Sequence, residues 1–346
     1  MSGNERSLRA ACGVGRGHRS VIVDGVRLAY EDSGADNAER ADSTARADDD
    51  ADRLEHADDA DRFERAADAD RSALADHADR PPLVCHADRS AFADHADRPP
   101  LVCLHAVGHG AGDSAAFRAR HAHHFRTLAL DWPGHGRSDA DSAPPSAARY
   151  AALLAGLLDA LALPPAVLIG NSIGGAAAVR LAAARPDRVR ALVLCNPGGF
   201  TRPSFVKRAY TRALAWIFAR GAGRARWFPR FWRAFCARVL ATPAAAEQRD
   251  RIIAAGPEMA PLLRDAWRNF AAPDDALHPL LPSLACPVLV TWSLGDPVNP
   301  LFVNRGAIRL FRDGRLHTFA GGHAPFLEVP DAFDAVFATF IQELRL

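Results

Sequence analysis

The sequence predicts an α/β fold with a mostly parallel central sheet and helices on both of its faces. From Pro99 onward, short apolar runs containing β-branched residues alternate with Ala- and Leu-rich stretches, which is the pattern of strands joined by crossover helices. The chain has 346 residues, of which 49% are hydrophobic, and this is enough to bury a sizeable core.

Five apolar runs are expected to form the buried strands, because strands covered on both faces read as nearly continuous apolar segments. They are PPLVCLHA, FRTLALDW, PAVLIGNS, VRALVLCN and PVLVTWS. Ahead of them, SVIVDGVRLAY contains two β-rich runs joined by Asp24 and Gly25, a pair that favours the positive φ of a tight hairpin. Two stretches, SAARYAALLAGLLDALAL and GGAAAVRLAAARPDRV, predict helices, and Pro186 should end the second.

Residues 36–98 differ in composition from the rest of the chain. Sixteen Asp and three Glu against nine Arg give this segment a net charge of −10, and Ala-Asp-Arg recurs in it every nine residues. Residues 69–85 are repeated at 87–103 with one difference, so PPLVC occurs twice. Nine residues are two and a half helical turns, so a helix of such repeats has no continuous apolar face. We expect an acidic, mostly disordered insertion, with a sheet strand only at the second copy, Leu101–Leu104.

Residues 201–282 interrupt the alternation and are predicted to form a helical cap. Between positions 201 and 240 there are ten Lys or Arg, no acidic residue and nine aromatic residues. Several interpretations stay open: arginines in solvent above inward-facing rings, a pocket for a bulky apolar acyl or aryl group, a face that contacts an anionic membrane, and a face that holds the acidic insertion. The predicted core comprises residues 19–35, 99–200 and 283–346, after a flexible tail at residues 1–18.

No cofactor, metal site or nucleic-acid partner is predicted, and the oligomeric state is left open. The formal net charge of +1 argues against a surface built for nucleic-acid phosphates. The His-x-Asp units of the repeats lie nine residues apart without a preorganised geometry, and the six cysteines form no CxxC pair. The first residues lack the apolar segment of a signal peptide, and no run of about eighteen apolar residues follows, so a cytoplasmic location is expected.

The most informative stretch is VLIGNSIGG, in which an apolar strand leads through Gly-x-Ser-x-Gly into an Ala-rich helix. Gly170 and Gly174 allow the strand and the helix to approach closely, and Ser172 lies on the sharp turn between them. The amino end of the helix directs its free N–H groups toward an oxyanion beside the serine. This context predicts that Ser172 is a nucleophile.

A serine hydroxyl needs a general base that is itself oriented by an acid, and the chain order serine, acid, histidine indicates where to search. Asp296 follows the apolar run PVLVTW, and His323 follows two glycines near the end of the chain. These residues complete a predicted catalytic triad with the serine. The predicted oxyanion donors are the backbone N–H of Ile173, directly after the serine, and that of Val107, in the glycine-rich loop after an early strand.

Four further residues are candidate substrate contacts. They are His105, Gly108 and His109 in the loop after the early strand, and Asn171 before the serine. For the two histidines, hydrogen bonds that brace the loop are the alternative.

The motifs together resemble those of the α/β-hydrolase family. The matching segments, in the family's order, are HAVGHG, DWPGHGRSD, GNSIGG, GDPVNP and GGHAPFLEVPDAF. The resemblance covers residues 20–32 and 101–340 apart from the cap, and it implies the α/β-hydrolase fold with an inserted helical cap. Ala106 stands where the family usually has a glycine, which leaves Ala106 as an alternative to Val107 for the second oxyanion donor.

The resemblance and the triad imply a serine hydrolase that cleaves a carboxylic ester with an apolar acyl or aryl group through an acyl-enzyme. Relatives that are dehalogenases or epoxide hydrolases use an aspartate nucleophile, so Ser172 counts against those activities. The alternatives are a carbon–carbon bond hydrolase for dienoate-type diketones, a thioesterase, an acyltransferase, and a non-catalytic ligand-binding protein of the same fold.

Overall fold

The computed structural model describes residues 18–34 and 98–345. Within them, eight strands form one sheet with the order β1-β2-β4-β3-β5-β6-β7-β8. The pairs β1–β2 and β2–β4 are antiparallel, and all others are parallel. The strands are β1 His18–Val23, β2 Val26–Asp32, β3 Pro100–Leu104, β4 Arg126–Leu130, β5 Ala166–Asn171, β6 Val189–Cys195, β7 Val288–Ser293 and β8 Gly314–Phe319. The predicted fold class is confirmed, and β3 to β7 coincide with the five predicted apolar runs.

The predicted hairpin at the start of the sheet is also confirmed. Val23 pairs with Val26, so the turn consists of Asp24 and Gly25 alone. Both have positive φ, 47° and 77°, as a two-residue turn between twisted strands requires.

Helices cover both faces of the sheet. Successive side chains of β3 alternate between two apolar clusters, because strand residues point to opposite faces in turn. Helices α2 and α3 pack on one face, and α1 and α9 on the other. The α-helices are α1 Ala115–His121, α2 Ala147–Ala160, α3 Ile173–Ala184, α4 Phe205–Ala222, α5 Phe228–Val239, α6 Ala246–Asn269, α7 Leu301–Ile308, α8 Pro325–Glu328 and α9 Pro330–Glu343. The helix predicted to stop at Pro186 ends two residues before it.

Strand β3 is the second copy of the duplicated PPLVC. All of its residues are buried, and it pairs with β4 and β5, so the prediction that Leu101–Leu104 lies in the sheet core is confirmed. The first copy, at Leu83–Cys85, and almost all of the predicted insertion lie outside the described residues.

Arg126 joins the end of β2 and the start of β3, on either side of the predicted insertion. Its backbone N–H donates to the carbonyl of Pro99 at 3.2 Å, and its guanidinium donates twice to the Asp32 carboxylate at 3.0 and 2.6 Å. The end of β2 and the start of β3 are therefore fixed on either side of one residue of β4.

Helices α4, α5 and α6, called the cap helices below, follow β6 and precede β7 and lie within the segment 201–282 that the sequence predicts as a cap. Their contacts require a small residue at Gly256, where a Cβ atom would lie 2.0 Å from the indole nitrogen of Trp232. That indole donates to the carbonyl of Ile252 at 3.0 Å, so α5 lies directly against α6. No helix of the described segments is long and apolar enough to cross a membrane.

Candidate active site

The site lies at the carboxyl ends of β3 and β5, where the strand order reverses. From β3 the chain proceeds to β4 on one side, and β5 lies on the other. The loops that leave β3 and β5 therefore diverge and leave a crevice between them, which is where open α/β sheets bind ligands. Residues 105–107 follow β3, and Ser172 follows β5.

Ser172 occupies the predicted sharp turn. It has φ 54° and ψ −116°, a conformation that L-residues rarely adopt and that costs about 1–3 kcal/mol. Its backbone is fixed on both sides, because its N–H donates to the Cys195 carbonyl at 3.1 Å and its carbonyl accepts from the Gly198 N–H at 3.0 Å. The strained turn holds the serine at the surface of a pocket.

The glycines on either side of the serine are required because neighbouring backbone atoms lie too close to leave room for a Cβ atom. A Cβ atom on Gly170 would lie 2.5 Å from the backbone nitrogen of Gly175, and one on Gly174 would lie 2.4 Å from the carbonyl oxygen of Leu104. The second contact brings the start of α3 against the end of β3. The Gly-x-Ser-x-Gly spacing thus positions the serine and the loop after β3 relative to each other.

Asp296 and His323 form a buried pair that lies in the chain order expected for a triad. His323 Nδ1 contacts Asp296 Oδ2 at 2.7 Å. The same oxygen accepts from the Asn196 side-chain amide at 2.7 Å, and Oδ1 accepts from the Val298 N–H at 2.8 Å. These bonds fix the carboxylate, and the carboxylate in turn fixes the imidazole, which leaves Nε2 for proton transfer.

His323 and Ser172 line the same pocket but form no hydrogen bond with each other in the described structure. Contacts between a nucleophile and its base are often long before substrate binds and tighten during the reaction. The loop that carries His323 is tied to the serine turn, since Asn171 donates its side-chain amide to the carbonyl of His323 at 2.9 Å.

Two residues that position the triad were missed by the sequence reasoning. Asn196, with φ 45°, orients Asp296 and also accepts from the Ser293 N–H at 3.1 Å. The buried carboxylate of Glu328 accepts from the N–H groups of Gly322 and Ala241, which anchors the His323 loop to the end of α5. The available signals were a polar residue directly after a buried strand, and a lone acidic residue in the apolar run APFLEV.

The two predicted oxyanion donors both line the pocket beside Ser172. Ile173 is the first residue of α3, a position whose N–H has no partner within a helix. The N–H of Val107 likewise has no hydrogen-bond acceptor among the described residues. The arrangement leaves both amides available to a negatively charged oxygen.

Two buried histidines hold the loop that carries Val107. The Trp132 N–H donates to His105 Nε2 at 3.0 Å, and the Gly108 N–H donates to His135 Nε2 at 2.9 Å. Burial lowers the pKa of His105 to about 4. Burial, together with the neighbouring His105, lowers the pKa of His135 to about 3. Both imidazoles are therefore neutral acceptors at neutral pH.

These two histidines make the folded state sensitive to acid. Because their folded pKa values lie below the ordinary 6.5, protons bind preferentially to the unfolded chain, and the stability they support is present above pH 6.5 and lost as the pH falls toward 4. Each contributes at most about 1.4 kcal/mol per pH unit to the slope. We expect His135→Gln to show a smaller loss of unfolding free energy between pH 7 and pH 5 than the wild type, measured by urea denaturation.

The matched control is His317→Gln on the exposed surface of β8, which leaves both buried histidines in place, so the acid sensitivity assigned to them should remain. An equal loss of stability in the His135→Gln and wild-type proteins would contradict the assignment of a buried, neutral imidazole at this position.

The four candidate substrate contacts divide into two groups. His109 lines the pocket, and its Nδ1 forms a hydrogen bond with the Asp113 carboxylate. The pocket lining does not include His105, Gly108 or Asn171, whose hydrogen bonds instead join the loop after β3 and the His323 loop to the core. These hydrogen bonds agree with the loop-bracing alternative for His105, and substrate contact by His105, Gly108 or Asn171 stays a prediction.

The pocket has a volume of about 410 Å³, within the range of small-molecule sites, and its two ends differ in chemistry. One end is apolar, formed by cap-helix side chains that include Phe218, Trp232 and Phe235. The other end contains Lys207 paired with Asp275, Nζ to Oδ2 at 2.9 Å. Lys207 and Phe218 are about 16 Å apart along α4. Burial raises the pKa of Asp275, and the lysine opposes that rise.

The chain belongs to the α/β-hydrolase fold family, whose model matches residues 99–330. Lipase LipV of Mycobacterium tuberculosis is 40% identical to it over 110 residues, which are 31% of this chain and 42% of the lipase, so the match spans less than half of that protein. A pimeloyl-[acyl-carrier protein] methyl ester esterase of Neisseria meningitidis is 31% identical over 62% of this chain and 82% of the esterase. The solved structure of a thermophilic esterase from Thermogutta terrifontis has a TM-score of 0.60 and 24% identity, covering 72% of this chain and 91% of that one.

Proposed function

We propose that this protein hydrolyses carboxylic esters through an acyl-enzyme on Ser172. The observation that carries the proposal is the convergence, in one pocket, of a serine on a strained turn, a histidine fixed by a buried carboxylate, and two backbone N–H groups that have no acceptor among the described residues. A lipase and a methyl ester esterase among the relatives act on the same class of bond, which supports the proposal.

In the proposed reaction the Ser172 hydroxyl attacks the ester carbonyl and His323 Nε2 takes its proton. The oxyanion that forms accepts hydrogen bonds from the N–H groups of Ile173 and Val107. His323 then donates the proton to the departing alkoxide, which leaves as an alcohol. A water molecule attacks the acyl-enzyme by the same route and releases the acid. Asp296 holds the imidazole in orientation throughout.

A fluorophosphonate probe tests the proposal directly, because it reacts with serines that are activated for nucleophilic attack. We expect stoichiometric labelling of the folded protein, with the modified peptide containing Ser172 by mass spectrometry. Hydrolysis of p-nitrophenyl esters should fall in proportion to the fraction of protein that the probe has labelled. The unlabelled protein should turn over a dienoate diketone more slowly than these esters. Folded protein that is neither labelled nor active on the esters would overturn the proposal and favour a ligand-binding role.

The apolar end of the pocket supports an apolar acyl group as the part of the substrate recognised there. Each buried methylene contributes about 0.8 kcal/mol, so kcat/KM should rise about fourfold per added methylene until the pocket is filled. The Phe235→Ala variant, which enlarges that end, should shift the optimum of a p-nitrophenyl ester series to longer chains. Phe231→Ala is the control, because Phe231 is a half-buried ring of the same helix that does not line the pocket. An unshifted optimum in Phe235→Ala would place the acyl group elsewhere.

A further inference from the structure

Helix α4 has two faces of different character. Its inner face, with Lys207, Thr211 and Phe218, lines the pocket. The opposite face is solvent-exposed along the whole helix, with residues spaced four, three, four and four apart, as one side of a helix requires. This α4 outer face consists of Phe205, Ala209, Arg212, Trp216 and Arg220.

The α4 outer face carries two arginines that no carboxylate of the described residues neutralises. Residues 201–240 contain ten basic and no acidic residues. Neither Arg212 nor Arg220 forms an ion pair with a carboxylate in the part of the chain that the structure describes. The Arg220 guanidinium lies over the Trp216 ring, 5.1 Å from its centroid. Cations left unpaired along one helix face are complementary to an anionic surface.

The same face exposes large apolar side chains. Phe205 is 77% exposed and Trp216 is 54% exposed. Trp227, which precedes α5, stacks near Trp216 with 6.2 Å between ring centroids and extends the aromatic surface. Exposed aromatic rings on one face of a protein are characteristic of surfaces that enter an apolar phase or meet a partner.

The mouth of the pocket lies beside this face. Val206 on α4 and Val303 on α7 both line the pocket, although they are 74% and 45% exposed, so they stand at its opening. Phe302, next to Val303, is 84% exposed. The Tyr210 hydroxyl donates to the carbonyl of Pro297 at 3.3 Å, which connects α4 to the loop before α7. The opening is therefore bordered by exposed apolar side chains from both elements.

We propose that the α4 outer face docks on an anionic lipid bilayer. Phe205, Trp216 and Trp227 enter the interfacial region, where aromatic side chains are favoured, and Arg212 and Arg220 contact the lipid phosphates. An acidic protein matches the cations but does not account for the exposed rings that continue to the pocket mouth, so a lipid surface is favoured. This docking is independent of the chemistry at Ser172.

Binding of the full chain to vesicles tests the proposal. We expect the protein to float with vesicles of equal parts phosphatidylcholine and phosphatidylglycerol, and much less with phosphatidylcholine alone. The Arg212→Gln/Arg220→Gln variant should bind about 25-fold more weakly, since each cation near an anionic surface contributes about fivefold. The Phe205→Ser/Trp216→Ser variant should bind at least about tenfold more weakly, because it removes the apolar contribution. None of these residues lines the pocket, so all variants should keep the activity of the wild type, or its lack of activity, on soluble p-nitrophenyl acetate.

Matched controls remove the same groups elsewhere. Arg190→Gln/Arg309→Gln removes two exposed arginines near the amino ends of β6 and β8, and Ile22→Ser removes an exposed apolar side chain of β1, so neither should change binding. Circular dichroism establishes that each variant is folded. Equal binding to both vesicle types overturns the proposal. Loss of binding in the arginine variant with no change in the aromatic variant also overturns it and favours an acidic protein partner.

Discussion

Replacing Ser172 by alanine is expected to lower kcat for p-nitrophenyl ester hydrolysis by about a millionfold, the effect of removing a serine nucleophile from a triad. The reason is that the variant keeps the pocket, the His323–Asp296 pair and the two amide donors but has no atom to form the acyl-enzyme. The measurement is steady-state kinetics on the purified protein, with fluorophosphonate labelling as a second readout.

Ser293→Ala is the appropriate control for this experiment. Ser293 is a buried serine at the carboxyl end of β7, its hydroxyl has no hydrogen-bond partner among the described residues, and it does not line the pocket. The control should therefore keep its ester hydrolysis. Substantial activity in folded Ser172→Ala protein would show that the nucleophile is a different residue.

Replacing Gly174 by alanine is expected to destabilise the protein by about 3 kcal/mol or more, at the upper end of overpacking costs. The new Cβ atom would lie 2.4 Å from the carbonyl oxygen of Leu104, and backbone at that distance can be relieved only by moving α3 away from β3. Such a movement also displaces Ile173 from the loop that carries Val107, so ester hydrolysis should fall together with the melting temperature.

Gly306→Ala provides the comparison for this variant. Gly306 lies in α7, and a Cβ atom there would meet no described atom outside its own helix within 4 Å. Alanine at an open helical position is expected to stabilise the protein by about 0.5–1 kcal/mol. Thermal unfolding of the two variants thus separates the effect of a close contact from that of glycine replacement in general. A Gly174→Ala protein as stable as the wild type would contradict the close packing of α3 on β3.

The strands and the serine turn were predictable because their signals are local. Strand β5 and the start of α3 are encoded within VLIGNSIGG, and strands covered on both faces are apolar throughout. Strand β8 was not predicted because it lacks this local apolar signal. It lies at the sheet edge, and all of its residues except Phe319 are exposed, so GRLHTF shows neither an apolar run nor a regular alternation.

Roles that depend on contacts between distant segments were not predictable in the same way. Asn196 and Glu328 act through residues about 90 to 100 positions away or through the backbone of another loop. The sequence likewise does not show in which direction a loop side chain points. Asn171 was therefore predicted to contact substrate, although its side-chain amide donates to the backbone carbonyls of Cys195 and His323. The domain boundaries stay a prediction, as does the nature of the insertion.

The contacts of Arg126 have a consequence for the length of chain that can join β2 to β3. Because Pro99 and Asp32 are held on one residue of β4, the core presents two fixed ends to whatever sequence joins them. Closing a connection between fixed ends becomes only about 0.6 kcal/mol more costly for each doubling of its length. A longer flexible connection between two such ends therefore costs the fold little stability. The connection between β2 and β3 is therefore a position at which repeats can be added while the hydrolase core stays unchanged.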